Sequence, residues 1–220
     1  MPYFYGREAG GAVSLEGADA RHLARSLRAR PGELIAVIDP QRAVVMSVRL
    51  VSVSPELVAG VVEGEREHRP EPAVAVTVAL AMLPASALDE ALTRCTELGA
   101  AGFVLVQAER SVARGARPER WATVCREAAL LAGRLRAPEV QGPVGLAEAL
   151  AACPRPVLLD REATGRLGPL SGPASFFVGP EGGWSPDEVG QAPATCSLGP
   201  RNLRAENAAA AAVAIALSRS

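Results

Sequence analysis

The sequence predicts an α/β protein in two parts, and three observations carry that reading. Residues 1–69 hold short Val-rich runs broken by turn residues, the pattern of a small β-rich domain. From residue 70 to 220, apolar runs of strand length alternate with helical periods, which implies a mostly parallel sheet covered by helices on both faces. Between them, EGEREHRPEP (63–72) is charged, contains proline and has no apolar period, so it reads as a linker.

In the first part DARHLARSLRAR (19–30) predicts a helix, with Leu23 and Leu27 on one face and Arg21, Arg25 and Arg28 opposite. Pro31-Gly32 ends it. LIAVID (34–39), AVVMSVRLVSV (43–53) and LVAGVVEG (57–64) are strands. In the second part AVAVTVALAM (73–82) is a continuous apolar strand of the kind buried on both faces. Ser86 and Asp89 give an S-x-x-D helix start; Leu88, Ala91, Leu92, Cys95 and Leu98 keep the helical period, and Gly99 ends it. GFVLVQ (102–107) is the next strand, and Pro118 opens a helix closed by Gly133. PVLLD (156–160), ASFFVG (174–179) and TCSLG (195–199) are short strands, and NLRAENAAAAAVAIAL is a long alanine-rich helix. There is no internal repeat.

Bulk properties narrow the function. Apolar residues make up 49% of the chain and no apolar run approaches a membrane span, so a soluble protein without membrane contact is expected. MPYFYGREAG lacks the basic-then-apolar order of a secretion signal, which points to the cytoplasm. Cys95, Cys125, Cys153 and Cys196 are scattered without a C-x-x-C pair, which argues for free thiols and no metal site. The net charge of -1 gives no global polyanion signal. All 23 basic residues are arginine, so any phosphate contact falls to arginine, backbone or a hydroxyl. From Arg94 to Arg136 eight arginines face four acids; from Ala137 onward six face eight. The middle third is therefore the more basic stretch and the expected electrostatic face.

Two stretches carry chemistry. In FFVGPEGGWSPDEV (176–189), Ser185 is a good N-cap, Pro186 suits the first helical position and Glu188 completes a capping box. The glycines at 179, 182 and 183 therefore belong to the preceding loop. Such a loop can be a tight strand–helix connection or a ligand wall, because open parallel sheets bind ligands at the carboxyl ends of their strands. Glu181 fits a phosphate ligand poorly and a neutral or cationic ligand, or an arginine partner, well. In SLGPRNLRAENAAAAAV (197–213) a strand again ends in Gly-Pro, followed by Arg201, Arg204 and Glu206. Two neighbouring glycine-turn strand ends build one pocket more readily than two. A dinucleotide oxidoreductase is disfavoured, since G-x-G-x-x-G and its downstream acid are absent.

GPEGG and LGPRNLRAENAA together resemble the C-terminal signature of the bacterial small-subunit rRNA uridine-N3 methyltransferases, of the SPOUT superfamily. ARHLARSLRARPGE (20–33), TELGA (96–100), AERSV (108–112) and REAALLAGRLRAPEV (126–140) fall in that family's order and spacing. The resemblance implies a PUA-like β-barrel over 1–69 that helps hold RNA, and a SPOUT methyltransferase domain over 70–220 with a C-terminal trefoil knot. It implies S-adenosylmethionine bound bent within the knot, a homodimer, and 16S rRNA or the small ribosomal subunit as partner. By position, the cofactor pocket comprises Leu158 and Leu159; Gly179, Pro180, Glu181, Gly182 and Gly183; and Ser197, Leu198, Gly199, Leu203 and Arg204. Arg201 and Arg204 would stabilise negative charge on the base, and Glu206 would orient an arginine or take the N3 proton. Arg21, Arg25 and Arg28, and Arg110, Arg114, Arg117, Arg134 and Arg136, are the candidates for phosphate contact, though the first set also suits a solvated helix face. His22 reads as structural and His68 as uninformative.

The chain departs from the family's pattern at RNA-facing positions. LPASALDE (83–90) has no lysine, Leu131-Ala132 replaces Gln-Ser, and Glu206-Asn207 replaces Glu-Thr. A SPOUT enzyme with another RNA target, such as a ribose 2′-hydroxyl, and a non-catalytic RNA-binding or ribosome-assembly protein that keeps the pocket, are the alternatives.

Overall fold

A computed structural model of the chain describes residues 3–218. The chain divides into two compact units. The first comprises the described residues through Glu71 together with Leu130–Arg136; the second comprises Pro72–Ala129 and the chain from Ala137 onward.

The first unit is built on a six-stranded sheet. Its strands are β1 (Tyr3–Tyr5), β2 (Glu8–Ala9), β3 (Ala12–Glu16), β4 (Leu34–Asp39), β5 (Val44–Val53) and β6 (Leu57–Glu67), in the order β1-β4-β5-β6-β3-β2. Phe4, Leu15, Leu23, Ile35, Val37, Met46, Val48 and Leu50 form its core. The extension of β6 to Glu67 corrects the linker reading: residues 63–67 lie alongside β5, where Arg49 meets Glu63 and Arg42 meets Glu65 at 2.6 Å. Charged residues outside an apolar period still make a strand when cross-strand ion pairs occupy its open face.

The helix predicted over 19–30 is shorter. α1 (Gly17–Arg21) runs into one π-type turn (His22–Ser26) and stops. Leu27 N donates to His22 O and Ala29 N to Leu23 O, so the α-helical register is lost. Leu23 is buried while Leu27 is 44% exposed, and Arg28 lies outside the helix with φ +53. Leu23 and Leu27 therefore do not share a buried face, nor does Arg28 share one with Arg21 and Arg25.

Residues 130–136 complete this unit. Arg134 donates to Glu71 Oε2 from Nε at 3.1 Å and from Nη2 at 2.5 Å, and Leu135 N donates to Glu71 Oε1 at 2.9 Å. Tyr5 donates its hydroxyl to Arg134 O at 3.0 Å, and His68 Nε2 donates to Gly133 O at 2.5 Å while its ring stacks on Tyr3. His68 thus has a structural post that its sequence neighbours do not signal.

The second unit is a six-stranded, all-parallel sheet. Its strands are β7 (Val76–Ala81), β8 (Gly102–Gln107), β9 (Glu139–Gly145), β10 (Pro156–Leu159), β11 (Ala174–Val178) and β12 (Thr195–Cys196), in the order β12-β10-β11-β7-β8-β9. Around it lie α2 (Ala85–Glu97), α3 (Pro118–Leu131), α4 (Leu146–Ala152), α5 (Pro186–Gln191) and α6 (Ala205–Ala216). Side chains alternate between two cores, as a pleat requires. Val76, Val78, Leu80 and Phe176 join α2 and α6 residues on one face. Ala79, Ala81, Phe177 and Leu158 join α4 and Trp184 on the other. Each fully buried phenylalanine contributes about 1.5–3 kcal/mol.

Two elements escape sequence reading. β9 reads EVQGPVG, whose Gly-Pro breaks any strand period, and its irregular register beside β8 absorbs that break. α4 is only 7 residues long. The S-x-x-D start is also corrected: α2 begins at Ala85 after Pro84, with no side-chain cap.

The connection from β10 to β11 does not simply return to the sheet. Ser197 N donates to Gly165 O at 2.7 Å, Leu167 N to Ser197 O at 3.1 Å, and Leu170 N to Ala216 O at 2.9 Å. Residues 165–170 therefore engage both the end of β12 and the end of α6.

Candidate active site

Three strand ends meet in the second unit. The loops after β10, β11 and β12 line a cleft of about 590 Å³. This is the position at which an open parallel sheet binds ligands.

A tight turn closes the loop after β11. Pro180 O accepts from Gly183 N at 2.8 Å, and Gly183 adopts φ +69. Ser185 then caps α5: Glu188 N donates to Ser185 Oγ at 3.3 Å, and Ser185 N donates to Glu188 Oε2 at 2.9 Å. The predicted capping box is present in full. Gly179 packs closely under Trp184: a Cβ there would stand 3.0 Å from Trp184 Nε1 and 3.1 Å from Cε2, so the indole would have to give way by a few tenths of an ångström. Trp184 lines the cleft, and its buried Nε1 lacks a hydrogen-bond acceptor among the described residues.

The loop after β12 turns at Gly199, φ +111, with Gly199 N donating to Ser197 Oγ at 3.0 Å. Ser197 also spends its backbone on residues 165 and 167, so it shapes the loop and does not line the cleft. Arg204 is the residue before α6, and its carbonyl accepts from Asn207 N and Ala208 N.

Leu159, Gly179, Pro180, Glu181, Gly182, Gly183, Leu198, Gly199, Leu203 and Arg204 all line the cleft, and so does Arg201. Three of the placements expected from sequence need correction. Leu158 points into the core and is fully buried, because side chains alternate along β10 and only Leu159 faces the cleft. Ser197 stands behind its loop, its backbone engaged by residues 165 and 167. Glu206 is buried in the first turn of α6 and does not line the cleft.

Sequence reasoning missed Arg110, Asp160, Arg161, Glu162, Val178 and Trp184 as lining residues. The place of Asp160 at a strand's carboxyl end is a signal that could have found it. Arg110 carries no such signal: it comes from the loop after β8 and donates from Nη1 to Gly182 O at 3.0 Å and to Trp184 O at 3.3 Å.

Charge is divided across the cleft. Arg161 pairs with Glu162 at 2.8 Å, and Arg110 is committed to carbonyls. Arg201 and Arg204 are exposed and have no ion pair among the described residues. The walls offered by Val178, Leu159, Leu198 and Leu203 are apolar. Glu181 stands on the glycine loop, where a phosphate would need amides and no carboxylate. Apolar walls, glycine-permitted backbone approach and an acid on the rim fit a phosphate-free, cationic nucleoside cofactor such as S-adenosylmethionine. Burial pushes up the thiol pKa of Cys196 behind this wall. Among the described residues no cluster of three metal-ligating side chains exists, and no helix is long and apolar enough to cross a membrane.

The basic residues fall into two kinds. Arg21, Arg25 and Arg28 are exposed in the first unit, and Arg114, Arg117 and Arg136 are exposed too. Arg134 is not: its side chain is 6% exposed and ion-paired to Glu71. That placement overturns a phosphate-contacting role, because the guanidinium is already satisfied inside the fold.

Comparison with known proteins agrees with this geometry. Residues 69–217 match the RNA methyltransferase domain family. Ribosomal RNA small subunit methyltransferase E of Mycobacterium bovis is 32% identical, covering 94% of this chain and 86% of its own length. The protein of the same name from Synechocystis is 31% identical, covering 92% of this chain and 71% of its own. Ribosomal RNA small subunit methyltransferase E from Neisseria gonorrhoeae, solved bound to S-adenosyl methionine, superposes with a TM-score of 0.88 at 30% identity, covering 97% of this chain and 95% of that one. With its cleft at the strand ends and this match over most of its length, the chain belongs to the RNA methyltransferase domain family.

Proposed function

We propose that this protein is an S-adenosylmethionine-dependent methyltransferase that methylates N3 of a uridine in 16S rRNA. The observation that carries the reading is the three-loop cleft, phosphate-averse on one wall and open to two uncommitted arginines on the other. The bound relative from Neisseria gonorrhoeae supports the cofactor, and the small-subunit rRNA relatives support the substrate.

The sulfonium cofactor supplies an electrophilic methyl group. The chain's task is to hold a weakly acidic uridine edge beside it. As N3 forms its bond to the methyl carbon, the carbon–sulfur bond breaks, S-adenosylhomocysteine leaves and the N3 proton passes to solvent or a carboxylate. Arg201 and Arg204 lower the cost of negative charge on the base by donating to its carbonyl oxygens. Gly179, Gly182 and Gly183 let the cofactor approach the backbone closely. Val178, Leu159, Leu198 and Leu203 exclude water from its apolar parts.

The wider frame belongs to the same proposal. The first unit is a PUA-like RNA-binding domain, which takes in residues 130–136 beyond the expected 1–69, with Arg21, Arg25 and Arg28 toward phosphates. The second unit is a SPOUT domain. The pairing of residues 165–170 with both Ser197 and Ala216 supports a trefoil knot, since the connection between β10 and β11 grips two later segments of the chain. The protein acts in the cytoplasm as a homodimer. Calorimetric titration with S-adenosylhomocysteine, followed by methyl transfer to small-subunit rRNA, tests the reading. We expect micromolar binding and a methyl group on uridine N3. Absence of binding sinks it; binding with methylation of a ribose hydroxyl, or with no transfer, replaces the target or the catalytic role.

A further inference from the structure

Glu188 is a buried carboxylate with both oxygens committed to backbone amides of different segments. Oε2 accepts from Ser185 N at 2.9 Å, and Oε1 accepts from Glu109 N at 2.8 Å. The first bond belongs to the cap of α5. The second does not: it reaches the loop after β8, 79 residues away in sequence. The next residue of that loop donates in the same direction. Arg110 Nη1 bridges Gly182 O and Trp184 O, and its aliphatic stem lies where a Cβ on Gly182 would be 3.5 Å away. Trp184, between these two points, packs its ring on Gly179.

We propose that Arg110 and Glu188 are positioning residues that clamp the glycine loop of the cofactor cleft on its α5 side, tying it to the loop after β8. The inference rests on the proposed cofactor reading. A glycine-rich loop has the largest conformational entropy to lose, so it gains most from being held before the ligand arrives. Two attachments do this: residues 109–110 donate an amide to the carboxylate of α5 and a guanidinium to the carbonyls of the loop. Arg110 is exposed like its neighbours Arg114 and Arg117 on the same loop, and differs from them in its bonds to the cleft's carbonyls. A guanidinium bridging two carbonyls 72 and 74 residues away is a brace for the cleft rather than a contact for RNA.

The test uses the full chain with Arg110→Met, which keeps the stem and removes the bridge, Arg110→Lys, and Glu188→Gln. A Trp121→Phe background leaves Trp184 as the sole tryptophan reporter. We expect Arg110→Met and Glu188→Gln each to weaken S-adenosylhomocysteine binding about tenfold, the fold-change of losing one charge-assisted hydrogen bond. Turnover at saturating cofactor should stay within about threefold. Arg110→Lys should recover part of the affinity, since an ammonium reaches one carbonyl. Trp184 emission should shift to the red in Arg110→Met without any cofactor present. An Arg110→Met protein with unchanged cofactor affinity and unchanged Trp184 emission overturns the clamp. A reduced salt slope for RNA binding with no other change makes Arg110 a phosphate contact instead. If the unsubstituted protein fails to bind S-adenosylhomocysteine, the cofactor reading falls, and the Trp184 emission still decides whether the loop is clamped.

Discussion

Replacing Arg134 with methionine separates a structural arginine from an RNA contact. The perturbation removes a guanidinium whose side chain is 6% exposed and leaves its partner, Glu71, at 23%. Glu71 Oε2 loses two donors, at 3.1 and 2.5 Å, and keeps only the Leu135 amide on Oε1. Breaking a fully buried pair costs about 3–5 kcal/mol, mostly through the charge left behind. Water reaches Glu71 in part, which reduces the cost to about 2–3 kcal/mol. With a urea slope of about 1–3 kcal/mol/M, the unfolding midpoint of the first unit should fall by roughly 0.7–3 M. The assay is urea unfolding followed by circular dichroism. Adding Glu71→Leu to Arg134→Met should restore part of the loss, since no unpaired carboxylate then remains. If Arg134→Met unfolds within about 0.5 kcal/mol of the parent and instead lowers the salt slope of RNA binding by about one, the structural assignment is wrong and the phosphate reading is right.

The cleft and the core yield three more tests. Arg204→Ala should lower turnover about a hundredfold, the scale of losing one donor to a developing anion, while thermal melting moves by less than about 2 °C; an unchanged rate removes Arg204 from the chemistry. Light scattering in dilute solution should give the mass of two 22.8 kDa chains, and a clean monomer mass would refute the homodimer. Burial, with the neighbouring Cys125 second, pushes the Cys95 thiol from 9.0 up to about 12. The fold favours the neutral thiol, so this stabilisation is complete below pH 9.0 and fades as pH rises toward 12. Melting temperatures measured between about pH 8 and 11 should fall less steeply for Cys95→Ala than for the parent; parallel curves would contradict the shift.

Local chemistry made much of the fold legible. LIAVID and GFVLVQ became strands with the bounds read from their apolar runs, because each is a short apolar run of strand length. The α5 cap was legible because its three determinants, Ser185, Pro186 and Glu188, lie within four residues of one another. The two glycine turns were legible as ligand-wall candidates for the same reason.

What stayed hidden depends on groups far apart in the chain. β9 and residues 63–67 became strands because neighbours supplied hydrogen bonds and ion pairs that no local period announces. Arg134 and Arg110 look alike in sequence, yet one is buried against Glu71 and the other bridges two carbonyls of the cleft. Glu188 shows its cap in sequence and conceals its second bond, to Glu109. By itself the sequence determined the two-part α/β plan, the turns and the cap, since each needs only neighbouring residues. Tertiary structure alone decided which side of β10 faces the cleft, which arginines remain open to a ligand, and how residues 165–170 engage Ser197 and Ala216. These are outcomes of burial and of long-range hydrogen bonding, and a residue's type does not reveal the partner that will satisfy it.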